Sequence, residues 1–302
     1  MQSILVLVGP TAVGKSALAI QLAERLGGEI ISADSRTLYR GLDIGTAKPS
    51  PEDRARVPHH LIDVTDPDQP WSLAQYRDAA LGHMAAIWQR GRRPMLVGGT
   101  GQYVRAVLEG WSIPPRPADP AYRLQLEALA GQHGPDALFA ELQAADPAAA
   151  ELIDKRNLRR VIRALEVIHA TGQPFSAQRQ KQPPAYPSVI VGLTLPRPIL
   201  YARIDARVDA MLAHGLVDEV RSLAARYDWS LPALSAIGYK QIGMYLRGEC
   251  DLAEAVRLIK HDTRRYVRQQ ANWFRAADPA IHWHDVESLD ADQWAAEINR
   301  LQ

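Results

Sequence analysis

The sequence has a single cysteine, Cys250, among its 302 residues. An internal disulfide is therefore impossible, and a zinc cluster built on thiolates needs more than one. That usage fits a reducing compartment, and a cytoplasmic protein is expected. Long apolar runs are missing too. The strand-like Ile4-Leu5-Val6-Leu7-Val8 is as long as any, far short of the ~20 residues of a membrane span. Met1-Gln2-Ser3 carries no basic residue ahead of it, so a secretory leader is not expected. No internal repeat or low-complexity tract stands out. The formal net charge is only +1, so any basic surface must be sought locally.

What is present suffices for a folded core. Hydrophobic residues make up 47% and charged residues 23%, a balance that excludes a disordered chain. The length suits one large domain, or a core with a smaller companion. Ile4–Val8 lacks polar alternation, as a strand buried on both faces of a parallel sheet does. Ser16 to Leu26 follows with apolar residues at helical spacing, and Gly27-Gly28 closes that helix. Further strands are expected at 29–32, 94–97 and 189–195, with helical patterns between them. This alternation predicts an α/β fold with a parallel sheet flanked by helices.

Two proline-rich stretches, 113–120 and 182–187, bracket a region without strand patterns. Proline ends helices and stiffens connections. We expect an inserted all-helical subdomain at 118–185, between a first part of the core at 1–117 and a mostly helical second part at 186–302.

Gly9-Pro10-Thr11-Ala12-Val13-Gly14-Lys15-Ser16 matches the P-loop pattern in full, between a strand and a helix. Glycines let backbone N–H groups converge on a phosphate, and the helix N-terminus adds partial positive charge. Lys15 supplies a full charge, and the Ser16 hydroxyl is placed for Mg2+. The loop does not name its substrate. A nucleotide hydrolase needs a strand ending in Asp, yet the strand at 94–97 ends in Gly98-Gly99-Thr100-Gly101. The strand ending in a carboxylate is the one that leads to Asp34. That position suits a metal ligand, a general base or a turn residue alike.

Basic residues cluster twice at helical spacing: Lys155, Arg156, Arg159, Arg160 and Arg163, then Arg257, Lys260, His261, Arg264 and Arg268. Each alone reads as a solvated face, and together they suit an RNA-binding cleft. The pair His59-His60 has no third ligand at useful spacing and is not read as a metal site.

Several strings are more specific than the loop. Ile31-Ser32-Ala33-Asp34-Ser35, Asp43-Ile44-Gly45-Thr46-Ala47-Lys48-Pro49 and Val97-Gly98-Gly99-Thr100-Gly101-Gln102-Tyr103 follow in order. Arg203-Ile204-Asp205-Ala206-Arg207 and Arg268-Gln269-Gln270-Ala271-Asn272-Trp273-Phe274-Arg275 complete the series. With them the chain closely resembles the tRNA dimethylallyltransferase (tRNA isopentenyltransferase) family over nearly its whole length. The resemblance implies transfer of a dimethylallyl group from dimethylallyl diphosphate to N6 of the tRNA adenosine adjoining the anticodon on its 3′ side. It implies that Gly9 to Ser16 holds the diphosphate, with Mg2+ as cofactor on Ser16. Asp34 is then the base at N6, and Thr100 a hydroxyl at the transfer site. Lys15 and Arg207, with Arg203 as the alternative arginine, then hold the diphosphate.

Contact with the tRNA anticodon stem-loop is carried over to Asp34, Ser35, Arg36, Thr37 and Thr100. It is carried over also to Arg123, Arg159, Arg160, Val161, Ile162 and Arg163. Thr37 stands where some members have Gln, and Asn272 where many have Thr. A monomer that does not engage membranes is expected. A small-molecule kinase or ATP-binding P-loop NTPase, an adenylate prenyltransferase and a non-catalytic tRNA-binding module are the competing readings. The strand end at Gly98-Gly99, the helical insertion and the intact Lys15, Ser16, Asp34 and Thr100 argue against them in turn.

Overall fold

A strand of five apolar residues has no face to turn to water, and Ile4–Val8 (β1) is buried along its whole length. The structure, a computed structural model, describes residues 3–111, 119–178, 186–288 and 290–301. Among these, β1 pairs in parallel with β4 (Arg93–Val97) on one edge and β5 (Ser188–Thr194) on the other. Beyond β4 lie β2 (Gly28–Ser32) and then β3 (His59–His60), and beyond β5 lies β6 (Ile281–Asp285). The resulting six-stranded order is β3-β2-β4-β1-β5-β6, parallel throughout. The parallel α/β architecture expected from the sequence is thus present.

Two strands escaped the sequence pattern for a physical reason. β6 reads Ile-His-Trp-His-Asp and buries only Ile281, and β3 has only two residues. Edge strands bury one side at most, so little apolar signal marks them. His59-His60 is an edge pair of the sheet, and among the described residues no His, Cys, Asp or Glu cluster could hold a metal.

Helices cover both faces. α1 (Lys15–Leu26) buries Leu18, Ala19 and Leu22, and stops at Gly27 in a left-handed conformation whose N–H bonds the Ala23 carbonyl. On the same face lies α13 (Ala291–Leu301), with Trp294 and Ile298 in one core with Leu5, Leu7 and Leu22. α2 (Pro51–Arg56) is a short helix capped by Ser50. On the other face α3 (Leu73–Gln89) starts at a Ser72–Gln75 capping box and buries Tyr76, Ala80, Met84 and Ile87. α4 (Gly101–Leu108) adds Tyr103, whose ring stacks on Tyr76 at 3.7 Å.

The chain divides into two compact units: residues 1–108 with 184–302, and residues 109–183. The smaller unit holds α5 (Pro120–Ala145, bent at Gly134 and Pro135), α6 (Pro147–Leu152), α7 (Leu158–Thr171) and α8 (Phe175–Gln178). Leu126, Leu138, Leu142, Val161 and Leu165 form its core. Most of the two proline-rich stretches, at 112–118 and 179–185, lies outside the described residues.

The second part of the larger unit adds α9 (Arg197–Ala213), α10 (Leu216–Ala224), α11 (Tyr239–Leu246) and α12 (Leu252–Gln270). They enclose a third core around Tyr239, Leu216, Val220, Ile242 and Ile259, to which Leu42 also belongs. The chain leaves β1 toward β2 on one side, and leaves β4 toward β5 on the other. The C-terminal ends of β1 and β4 are therefore a topological switch point, where open α/β sheets form a crevice for ligands.

Candidate active site

Three strand ends meet at this crevice: Gly9 to Ser16 after β1, Ala33 to Thr37 after β2, and Gly98 to Thr100 after β4. The last two are stitched together by backbone. Ala33 N donates to Val97 O at 2.7 Å, and Thr100 N to Ala33 O at 3.1 Å. The contact leaves no room for a side chain, since a Cβ on Gly98 would sit 2.3 Å from Ala33 O. This is why β4 ends in glycines rather than a carboxylate.

A cavity of about 380 Å³ opens here, lined by Thr11, Gly14, Lys15 and Ser16 of the loop and by Asp34, Arg207, Tyr266 and Gln270. A second cavity, of about 270 Å³, shares Thr11, Ala12, Asp34, Thr46, Arg207 and Tyr266 with the first. Ser35, Arg36 and Met211 line only the second; Lys15, Thr37 and Arg203 line only the first. Asp34, Arg207 and Tyr266 thus stand where the two meet.

Lys15 folds back on its own loop, donating to Gly9 O at 2.9 Å and Pro10 O at 2.7 Å. Burial pushes its ammonium down to about 7; the positive charge of Arg207 pushes the same way, and Asp34 pulls back. Arg207 is half-buried, as Lys15 is, and its guanidinium is lowered by desolvation, against the attraction of Asp34. Two half-buried cations and one carboxylate around a polar cavity leave an excess of positive charge facing inward. Such a field holds a polyanion.

Asp34 Oδ1 accepts from Arg36 N at 2.8 Å, a local turn that fixes the carboxylate at the strand end. The Thr100 hydroxyl accepts from Ser35 N at 3.1 Å. Thr37 is buried; its hydroxyl donates to Asp34 O at 3.2 Å and lies 3.0 Å from the Ser32 hydroxyl. Arg36 donates to Pro232 O at 2.7 Å. Tyr266 is held protonated: burial and Asp34 push its hydroxyl up to about 12, while Thr100 and Gln270 pull the other way. Arg203 lies farther out, donating to Glu287 at 3.2 Å. Of the two arginines, Arg207 alone lines both cavities.

The sequence reading missed Tyr266 and Gln270. Both sit near the end of α12, whose basic stripe drew attention to a different face. The loop Gly45–Pro49 was singled out only as a string, yet Thr46, Ala47 and Pro49 line the first cavity. Glu219 holds that loop, accepting from Asp43 N, Ile44 N and Gly45 N at 2.8–3.2 Å and from the Tyr239 hydroxyl at 2.6 Å. Lys48 braces its far end against Asp43 and Asp63 at 2.6 and 2.5 Å.

The basic clusters need correction. On α12, Lys260 pairs with Asp209 of α9 at 2.7 Å, Arg264 pairs with Asp205 of α9, and Arg257 pairs with Glu254 at 2.6 Å. Lys260 and Arg264 thus join α12 to α9, and Arg257 is paired within α12. In the smaller unit Val161 and Ile162, expected to touch tRNA, are 0% and 4% exposed in the helical core. Their neighbours on α7 point elsewhere: Arg159 is exposed, and Arg163 lies 3.5 Å from Glu166. Arg123 bonds Glu127 at 3.0 Å and Glu166 at 3.3 Å, and Arg160 is half-buried.

Known proteins are similar to this chain over most of its length. The family described as IPP transferase matches residues 37–277, and the one described as isopentenyl transferase matches residues 2–60. A tRNA dimethylallyltransferase of Roseiflexus sp. (strain RS-1) is 52% identical over 301 residues, covering 99% of this chain and 98% of the relative. One from Chloroflexus aurantiacus (strain ATCC 29366 / DSM 635 / J-10-fl) is 53% identical over 277 residues, 91% of this chain and 93% of its own. The crystal structure of a full-length tRNA isopentenylpyrophosphate transferase from Bacillus halodurans superposes with a TM-score of 0.73. It is 43% identical, and the match covers 100% of this chain and 95% of that one. A eukaryotic dimethylallyltransferase acting on tRNA superposes with a TM-score of 0.81 at 25% identity, covering 100% of this chain and 77% of that one.

Proposed function

The chain belongs to the IPP transferase family, and on that premise we propose that it transfers a dimethylallyl group from dimethylallyl diphosphate to N6 of the tRNA adenosine adjoining the anticodon on its 3′ side, releasing diphosphate. The observation that carries this reading is the meeting of two cavities at Asp34 and Arg207. A phosphate cradle opens on one side of that pair and a second chamber on the other.

Each residue then has a task that its surroundings support. The donor's C–O bond breaks and its electrons go to the diphosphate, while N6 forms the new C–N bond. Lys15, the amides of residues 13–16 and Arg207 meet the charge that grows on the leaving group. Lys15 sits near its midpoint at neutral pH when the cradle is empty. An arriving polyanion favours the charged ammonium, so the lysine is fully protonated when the leaving group needs it. Asp34 accepts the proton that N6 sheds. Its orientation is set by Arg36 N, and Thr100 holds the adjoining Ser35 N. Tyr266 remains a hydroxyl donor at any working pH.

Mg2+ fits the cradle's donor set. Ser16 and Asp34 line one cavity, and among the described residues no group of three or more His, Cys, Asp or Glu side chains could cage a metal without the substrate. Mg2+ is suited to such a place, since it keeps water and shares substrate phosphate oxygens. When bound it neutralises charge on the departing diphosphate. On the RNA side, Ser35 and Arg36 follow the base-accepting Asp34 and line the second cavity, whereas Thr37, expected at the tRNA, is buried and faces the first. In the smaller unit Arg159 and Arg160 supply cations for tRNA phosphates, while Arg123 and Arg163 are paired with Glu166.

Prenyl transfer from labelled dimethylallyl diphosphate, with unmodified tRNA and free AMP offered side by side, tests the reading. Label in tRNA alone, nearly lost in Asp34→Ala, is the expected result. Label in neither acceptor, with ATP bound at the loop, would return the protein to the P-loop kinases and NTPases.

A further inference from the structure

Gln270 is the last residue of α12 and is 4% exposed, a buried polar side chain at the floor of the first cavity. Its amide spans two of the three strand ends. Oε1 accepts from Thr11 N of the phosphate loop at 2.9 Å, and Nε2 donates to Gly99 O at 3.0 Å. These contacts join residues 259 and 171 positions apart in the chain. No direct bond between the loop backbone and the turn at Gly99 duplicates them among the described hydrogen bonds. The strand end carrying Asp34 is already sewn to the same turn through Ala33 and Thr100. The sheet ties the base of the phosphate loop to the same turn, with Gly98 N donating to Leu7 O at 3.1 Å; farther along the loop, at Thr11, the tie to Gly99 among the described hydrogen bonds is Gln270.

The neighbours are shaped around this amide. A Cβ on Gly99 would come within 2.2 Å of Nε2, so the turn admits only glycine while Gln270 keeps its place. One helical turn earlier, Tyr266 points into the same cavity. A leucine of similar length offers neither bond. Asparagine, shorter by one methylene, reaches one partner but not both.

We infer that Gln270 is a positioning residue for the transfer reaction, setting the distance between the leaving-group cradle and the Asp34–Thr100 turn. The inference rests on the proposed prenyl transfer. Joining two substrates requires each to be held where the reacting atoms meet, and a displacement of about 1 Å costs up to 100-fold in rate. Lys15, the loop amides and the tRNA surface remain intact without Gln270, so both substrates still bind. What fails is their alignment.

The test compares wild type with Gln270→Asn and Gln270→Leu in single-turnover prenyl transfer to tRNA. Inorganic diphosphate inhibition, tRNA Kd and thermal midpoint are measured alongside. We expect the rate to fall about 10- to 100-fold in both variants, with diphosphate and tRNA affinities within about threefold, a few-degree change in midpoint at most, and no rescue by saturating donor. Combined with Thr100→Ala, the rate losses should be markedly less than multiplicative, because both residues act on one turn. Should Gln270→Leu fail to fold, Gln270→Asn carries the comparison. A folded variant with a wild-type rate, a loss wholly in donor KM, or losses that multiply with Thr100→Ala would overturn the assignment. Wild type unable to prenylate tRNA at all would instead remove the reaction on which it rests.

Discussion

The Lys15 ammonium lies 2.7 Å from the carbonyl of Pro10, inside the loop that lysine is built to serve. The lysine is thus parked on neutral acceptors, half-buried and beside Arg207, with its pKa pushed down to about 7. An unfolded chain holds that proton up to about pH 10.4. Between about 7 and 10 the unfolded state therefore binds more protons, and stability contributed by this group rises with pH across that window. Below about 7 the ammonium is half-desolvated and charged, which is its destabilising form. Lys15→Met should accordingly have the higher thermal midpoint at pH 6, by ~2–4 °C for each kcal/mol relieved. Binding of inorganic diphosphate near pH 8 should draw a proton onto Lys15. Calorimetry in buffers of different ionisation enthalpy will read that uptake as the difference between wild type and Lys15→Met.

Asp34→Asn keeps the oxygen that accepts from Arg36 N and removes the base. We expect kcat to fall by a factor on the order of 10²–10⁴. Thermal midpoint and tRNA affinity should change little. Retained turnover would reassign Asp34 to orientation alone.

Gly98→Ala places a methyl group 2.3 Å from Ala33 O, a backbone atom that cannot swing aside. β2 and β4 must part at their C-terminal ends. Overpacking of this kind costs ~1–3 kcal/mol, which a shift of the urea midpoint will show. The same separation carries Thr100 away from Ser35 N, so activity should fall more than stability does.

Glu219 touches neither cavity yet holds the loop that walls both. In Glu219→Ala three backbone N–H groups and the Tyr239 hydroxyl lose their acceptor. Leaving partly buried donors unpaired costs about 1–3 kcal/mol. Tyr239→Phe, which removes one hydroxyl and leaves the ring, should cost less. Denaturant titration gives both values. KM for the donor should rise in Glu219→Ala, since Thr46 and Pro49 lose their support.

Charge alone does not identify an RNA contact. Arg257→Ala and Lys260→Ala remove cations already neutralised by Glu254 and Asp209. Each should leave tRNA Kd within about twofold. Arg159→Ala removes an exposed cation. It should weaken binding across sequences and lower the salt slope of log K by about 1.

The sequence by itself determined the elements whose chemistry is local. The apolar run of β1, the glycine-lysine-serine string behind it and the helical spacing of α1 each carry their structure in neighbouring residues. The loop therefore declared itself, and Asp34 was marked as a strand-end carboxylate. Side-chain direction was less legible. Val161 and Ile162 sit between arginines in the chain, yet helical geometry sends them inward while Arg159 faces water. Lys260 and Arg264 of α12 look free along the chain because their carboxylates, Asp209 and Asp205, belong to α9, some fifty residues away. Only the tertiary structure decided that Arg207 stands where two cavities meet and that Gln270 bridges Thr11 and Gly99. Those contacts join residues of remote sequence number, and no periodicity or local propensity encodes a partner that distant. They arise when parallel strands converge at one edge and a helix end is set down across it.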